Sequence, residues 1–196
     1  MTQEAFDFIQ KWNHLSEKEF TELFLSEVPK FGIGSLDTYR QSVHFEPPHQ
    51  VYKVAMKLQL GLPTDLIPIQ NSGAGDCLFK AISQSLYGVE DHHRKIRLKV
   101  FIWMINNKDA VVQIRQKYTH FTMNSVFSLT MQVGTPRTWM GVAPITCSAM
   151  ALNIHISTFY PYVNGLENIT AKLQNKSFNC TALGKVNRGY TFTWLF

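Results

Sequence analysis

The spacing of apolar residues in this chain is helical in its first half and turns strand-like toward the end. Near the start, Phe20, Leu23 and Phe24 recur at helical spacing behind Ser16 and Glu19, a Ser-x-x-Glu capping box, and Pro29 stops the run. Residues 30–48 are a connector rich in breakers that ends in Glu46-Pro47-Pro48. Val51, Val54, Ala55 and Leu58 give a second short helical stripe, closed by Gly61 and Pro63. Residues 1–62 have too few apolar side chains for a core of their own, so they read as a helical arm or cap on a main domain of residues 63–196.

In that domain Leu66-Ile67-Pro68-Ile69 reads as a short strand, followed by a glycine-bearing turn from Asn71 to Gly75. Asp76 occupies the position of an N-cap, and Leu78, Phe79, Ile82 and Leu86 form the apolar face of a helix ending at Gly88. A longer helix follows from about Asp91 to Asn106, with Ile96, Val100, Phe101, Trp103 and Met104 inward. Residues 108–135 are ambiguous, with Val111, Ile114 and Tyr118 alone at helical spacing. The period then becomes two. Residues Asn153–Phe159 alternate apolar and polar, and Tyr190, Phe192, Trp194 and Phe196 share one face of a final run. Helices first, then strands paired around a central helix, predict an α+β domain without internal repeats.

Composition and charge narrow the class. Hydrophobic residues at 45% and charged residues at 17% are a globular balance and exclude a disordered chain. No apolar run approaches the roughly 18 residues that span a bilayer. Met1–Gln10 carries Glu4 and Asp7 rather than the basic and apolar stretches of an export signal, so the expected location is intracellular, in cytoplasm or nucleus. In that setting the triplets at Asn168, Asn175 and Asn179 read as chance rather than glycosylation sites. The net charge of +5 permits nucleic-acid contact but does not argue for it. Its densest cluster, Arg94, Lys95, Arg97 and Lys99, fits the solvated face of one helix. Three cysteines with no paired spacing exclude a disulfide framework and a structural zinc site, and no metal or cofactor is expected.

Chemistry concentrates in Gly75-Asp76-Cys77-Leu78-Phe79-Lys80-Ala81-Ile82-Ser83. A cysteine in the first turn of a helix meets unpaired backbone N–H groups and the positive end of the helix dipole, which favour thiolate over thiol. The turn through Gly75 and Asp76 leaves backbone amides to face an oxyanion. On this reading Cys77 is the nucleophile, and Gly75 with Asp76 forms the oxyanion side. A lone cysteine near a turn is also simply a small buried hydrophobe in many proteins.

This stretch, with Leu86-Tyr87-Gly88 and then His93 and Arg97, resembles the signature of the ovarian-tumour (OTU) family of deubiquitinases. Trp139-Met140-Gly141 and the strand around Ile154 are similar to that family's later landmarks. The resemblance implies a papain-type cysteine-protease fold, with a small mixed sheet flanked by helices. It also implies a thiol hydrolase acting on ubiquitin or a ubiquitin-like protein. A histidine at the start of the last strand would take the thiol proton, and an Asp or Asn two residues later would orient it.

The chain departs from that pattern twice. The family has an Asp three residues before the cysteine, where Ala74 stands here. The expected histidine falls at Gly189 and Tyr190, where there is no imidazole. Two other histidines remain as base candidates. His155 lies mid-strand, pointing opposite to Ile154 and Ile156, and His120 precedes Phe121 but comes in the wrong chain order. Tyr160-Pro161 with Asn164-Gly165, then Lys176-Ser177-Phe178 and Phe192-Thr193-Trp194, resemble the ending of divergent OTU-like domains of vertnin and of transposon-encoded proteins. Three readings follow: an active deubiquitinase using Cys77 with an unidentified base, a catalytically inactive OTU-like module binding protein or nucleic acid, or a truncated or transposon-derived product whose histidine lay beyond Phe196.

Overall fold

The structure is a computed structural model and describes residues 2–33, 71–118, 126–158, 176–178 and 189–191. In chain order these hold α1 (Thr2–Lys11), α2 (Glu17–Glu27), a 3₁₀ turn (Val28–Phe31), α3 (Cys77–Tyr87), α4 (His93–Asn106), α5 (Lys108–Tyr118), α6 (Val126–Gly134) and α7 (Val142–Leu152). Strands β1 (His155–Thr158), β2 (Lys176–Phe178) and β3 (Gly189–Thr191) follow. The expected helical stripe near Val51, the strand at Leu66 and the boundary at residues 62–63 lie outside the described residues.

The predicted capping box is present. The Ser16 side chain accepts from the Glu19 N–H, and the Glu19 carboxylate accepts from the Ser16 N–H at 3.1 Å. Pro29 sits in the 3₁₀ turn just past α2, where a ring without an N–H ends the α-helical ladder. Phe20 and Phe24 of α2 meet Phe101 of α4 edge-on at 6.3 and 5.1 Å between ring centres. The described part of the N-terminal segment therefore shares one core with α4. Phe101 also closes on Gly134 at the end of α6, where a Cβ would come within 2.7 Å of the ring.

Helix α4 is the axis of the helical layer, touching α1, α3, α6 and α7. It holds the first correction. Arg97 belongs to no solvated face: it is 1% exposed, between buried Ile96 and Leu98. Nor does Arg94 stand free, since its guanidinium lies 5.2 Å from the Phe6 ring and donates to Gln3 at 2.5 Å. The ambiguous region contains two helices, α5 and α6.

Helix α7 was not expected at all. Residues Ala143 through Ala149 are buried without interruption, so the helix shows no polar face and no period for a sequence reading to detect.

The three described strands form a sheet in the order β2-β1-β3. β1 pairs antiparallel with β2, with Ile156 opposite Phe178, and parallel with β3, with His155 opposite Gly189 and Ile156 opposite Tyr190. The alternation expected along β1 holds, with Ile156 and Thr158 buried and His155 and Ser157 half-buried. The architecture is α+β, and no described helix is long and apolar enough to cross a membrane.

Phe101→Ala should cost about 3–5 kcal/mol, because it opens a cavity between three helices. Urea denaturation followed by circular dichroism measures that loss, and a cost below about 1 kcal/mol would contradict the central place of this ring.

Candidate active site around Cys77

Cys77 opens α3, and the helix is fixed by the burial of Leu78, Phe79, Ile82 and Leu86 and by Gly88, which ends it in the left-handed conformation at φ 79°. The turn before it is unusual. Gly73, Ala74 and Gly75 all have positive φ, at 65°, 61° and 79°. Gly75 has a second reason to be glycine, because a Cβ there would overlap the Arg137 carbonyl. Ala74, at the position of the family's Asp, adopts the left-handed conformation at a cost of about 1–2 kcal/mol.

Two amides of this turn are already engaged. The Ser72 N–H donates to Glu90 Oε1 at 2.7 Å, and the Gly73 N–H donates to Asn71 Oδ1 at 2.9 Å. The expectation that the turn's amides are free is thus corrected for these two. Glu90 also accepts from the Ser72 hydroxyl and pairs with Lys80 of α3 at 3.7 Å. Burial works to raise the Glu90 pKa, but the Ser72 hydrogen bonds and the Lys80 charge outweigh it and hold the carboxyl below its ordinary value.

Asp76 stands at the N-cap position, but its side chain makes no cap hydrogen bond. Its backbone, at φ −103° and ψ 7°, lacks the extended geometry from which a cap side chain reaches the next amides. The carboxylate instead accepts from Arg97 Nη1, as an ion pair, and from the Arg137 N–H at 3.1 Å. Arg97 uses its whole fork. Nε donates to the Val133 carbonyl at 2.7 Å, Nη2 donates to the Thr138 carbonyl at 3.2 Å, and the guanidinium covers the Phe79 ring at 4.9 Å.

Cys77 itself is half-buried, and its thiol is pushed up from the ordinary value rather than down. Burial is the main cause, with the Asp76 charge adding to it. The amides of Leu78 and Cys77 and the Lys80 charge act in the other direction and do not overcome it. The expected thiolate is therefore corrected to a resting thiol, because desolvation outweighs the helix terminus here. Cys147, fully buried in α7, is pushed up to about 12 by burial.

The structure brings Gly75, Asp76 and Cys77 together. No histidine is hydrogen-bonded to the Cys77 sulfur among the described residues. His155 is on β1, its Nε2 3.3 Å from the Ser157 hydroxyl, at the register position of Gly189. Tyr190 lies in β3, and His120 lies outside the described residues. His93 Nδ1 meets the Glu90 carbonyl at 2.8 Å, and His92 lies 4.5 Å from the Tyr87 ring. No group of three or more His, Cys, Asp or Glu side chains that would hold a metal gathers among the described residues. Sequence reasoning missed the role of Arg97, although it lies at the spacing of Val100, Phe101 and Met104 and so on the buried stripe.

The family model for the vertnin OTU domain matches residues 68–128, the stretch holding the Cys77 turn and helices α3 to α5. Over these residues the chain is similar to the OTU domain of vertnin. A solved structure, the OTU domain of OTUD1, aligns at a TM-score of 0.40 and 19% identity, covering 46% of this chain and 55% of that one. No curated protein matches the chain.

Gly75→Ala should lower stability by about 2–4 kcal/mol, since it combines backbone strain with overlap against the 137 carbonyl. Thermal unfolding compared with Gly73→Ala, where a Cβ meets nothing within 4 Å, isolates the overlap. Equal losses in the two variants would show that the close approach is not a constraint.

Proposed function

We propose that the chain is an OTU-type thiol hydrolase scaffold directed at ubiquitin or a ubiquitin-like protein, with Cys77 as a nucleophile that rests protonated. The observation carrying this reading is the seat of Cys77: the first residue of a core-anchored helix, half-buried, behind a turn fixed by Gly75 and Asp76. Backbone amides at the start of α3 supply the oxyanion side. His155 is the base retained by the reading. It shares a register position with Gly189, and the tautomer in which Nε2 donates to the Ser157 hydroxyl leaves Nδ1 as the acceptor for the thiol proton.

The chemistry is acyl transfer. The Cys77 sulfur adds to the substrate carbonyl as its proton passes to the imidazole, and that proton then goes to the leaving amine as the C–N bond breaks. Water hydrolyses the thioester and returns the thiol. Because no base among the described residues touches the resting thiol, turnover is expected to fall by about 10²- to 10⁴-fold against a complete constellation. The same observation favours a second reading, in which the domain binds its partner and does not turn it over.

Ubiquitin carrying a C-terminal thiol-reactive warhead should label the wild type and fail to label Cys77→Ala. No adduct with folded protein would sink the ubiquitin reading, and an adduct without hydrolysis of a ubiquitin C-terminal amide would select the binding module. Separately, iodoacetamide should alkylate Cys77 with a rate rising about tenfold per pH unit from pH 6 to 8, since thiolate grows in that proportion below a raised pKa. A plateau near neutrality would show a resting thiolate and overturn this account.

A further inference from the structure

Arg97 reaches further than the stability of α4 requires. Asp76 is the residue type best suited to cap α3 and stands at the capping position, yet its carboxylate turns away and meets Arg97 and the Arg137 amide. The first turn of α3 is thereby left without a side-chain cap, beside a sulfur that depends on those amides. Arg97 holds the helix on a second side through the Phe79 ring, two residues past Cys77. Its remaining donors are fixed on the Val133 and Thr138 carbonyls, so the fork has one orientation.

We propose that Arg97 is a positioning residue for Cys77, holding the Asp76 carboxylate off the first turn of α3 so that the acid neither caps that turn nor faces the sulfur. This rests on Cys77 being the reactive group of the proposed function. Released from Arg97, Asp76 would be free to turn its backbone from ψ 7° to the extended N-cap conformation and take the amides of α3, because a buried anion needs hydrogen bonds. There it would occupy the groups that stabilise a developing oxyanion and bring its negative charge, which already raises the thiol, closer to the sulfur. Both effects oppose thiolate formation and acyl transfer. The electrostatic coupling of Arg97 with both Asp76 and Cys77 is consistent with this arrangement.

The test uses the full chain and iodoacetamide, an uncharged probe that needs no substrate. Alkylation at pH 8 is read at each cysteine by peptide mass spectrometry in the wild type, Asp76→Asn, Arg97→Met and the double variant. Cys147, buried in α7, reports general opening in the same samples. Arg97→Met should slow Cys77 by at least about threefold, and Asp76→Asn should speed it by a similar factor, with Cys147 unchanged in both. The double variant, which lacks both charges, should return to within about twofold of the wild type. Shifts of Cys77 in the same direction in both single variants, or rates that follow Cys147, overturn the proposal. If Arg97→Met does not fold, Asp76→Asn still decides, because unchanged alkylation of Cys77 there refutes the role. A failed ubiquitin probe alongside the expected order of rates would end the ubiquitin reading and leave the role of Arg97 standing; normal labelling with charge-independent rates would do the reverse.

Discussion

The buried ion pair between Arg97 and Asp76 is the constraint on which the site depends. A guanidinium that is 1% exposed must find acceptors for its donors inside the protein, or the fold carries an uncompensated charge costing several kcal/mol. Those acceptors are supplied by the turn before α3, the end of α6 and the segment after it. Packing α4 against α3 therefore also fixes where Cys77 begins its helix. Gly75 completes the arrangement, since its missing side chain is what lets the Arg137 carbonyl approach the turn.

The same burial that surrounds the pair works against ionisation of Cys77. A helix terminus offers a cysteine partial positive charge, and Cys77 receives it from two amides. Burial of the sulfur and the neighbouring Asp76 charge act oppositely, and they prevail. Cys77 thus combines a seat at a helix start with an unactivated thiol.

Much of the helical layer was legible in the sequence, because the signals are local. Ser16 with Glu19, the stripe of Leu78, Phe79, Ile82 and Leu86, and Gly88 each encode a start, a face or a stop, and each appears as expected. α7 was illegible for the opposite reason: a helix buried all round carries no contrast between its faces. The site was half legible. Its cysteine and glycine follow from residue type and turn chemistry. The fate of Asp76 depends on a partner 21 residues away, and position in the sequence alone made it look like a cap. Arg97 was misread because a basic neighbourhood suggested solvent, although its helical spacing already placed it among buried residues.

The fork of Arg97 also bears on the order in which the chain folds. Its three acceptors lie 21, 36 and 41 residues away in sequence, so no pair of adjacent elements can satisfy it. Until the turn before α3 and both ends of the 133–138 segment have converged, the guanidinium is better off in water. The capping box and the α3–α4 neighbours need no such convergence and are able to form early. Bonds completed on the native side of the folding barrier act chiefly by slowing unfolding. The cysteine's seat therefore depends on contacts far apart in sequence, and a fork completed late acts chiefly to slow the loss of that seat once made.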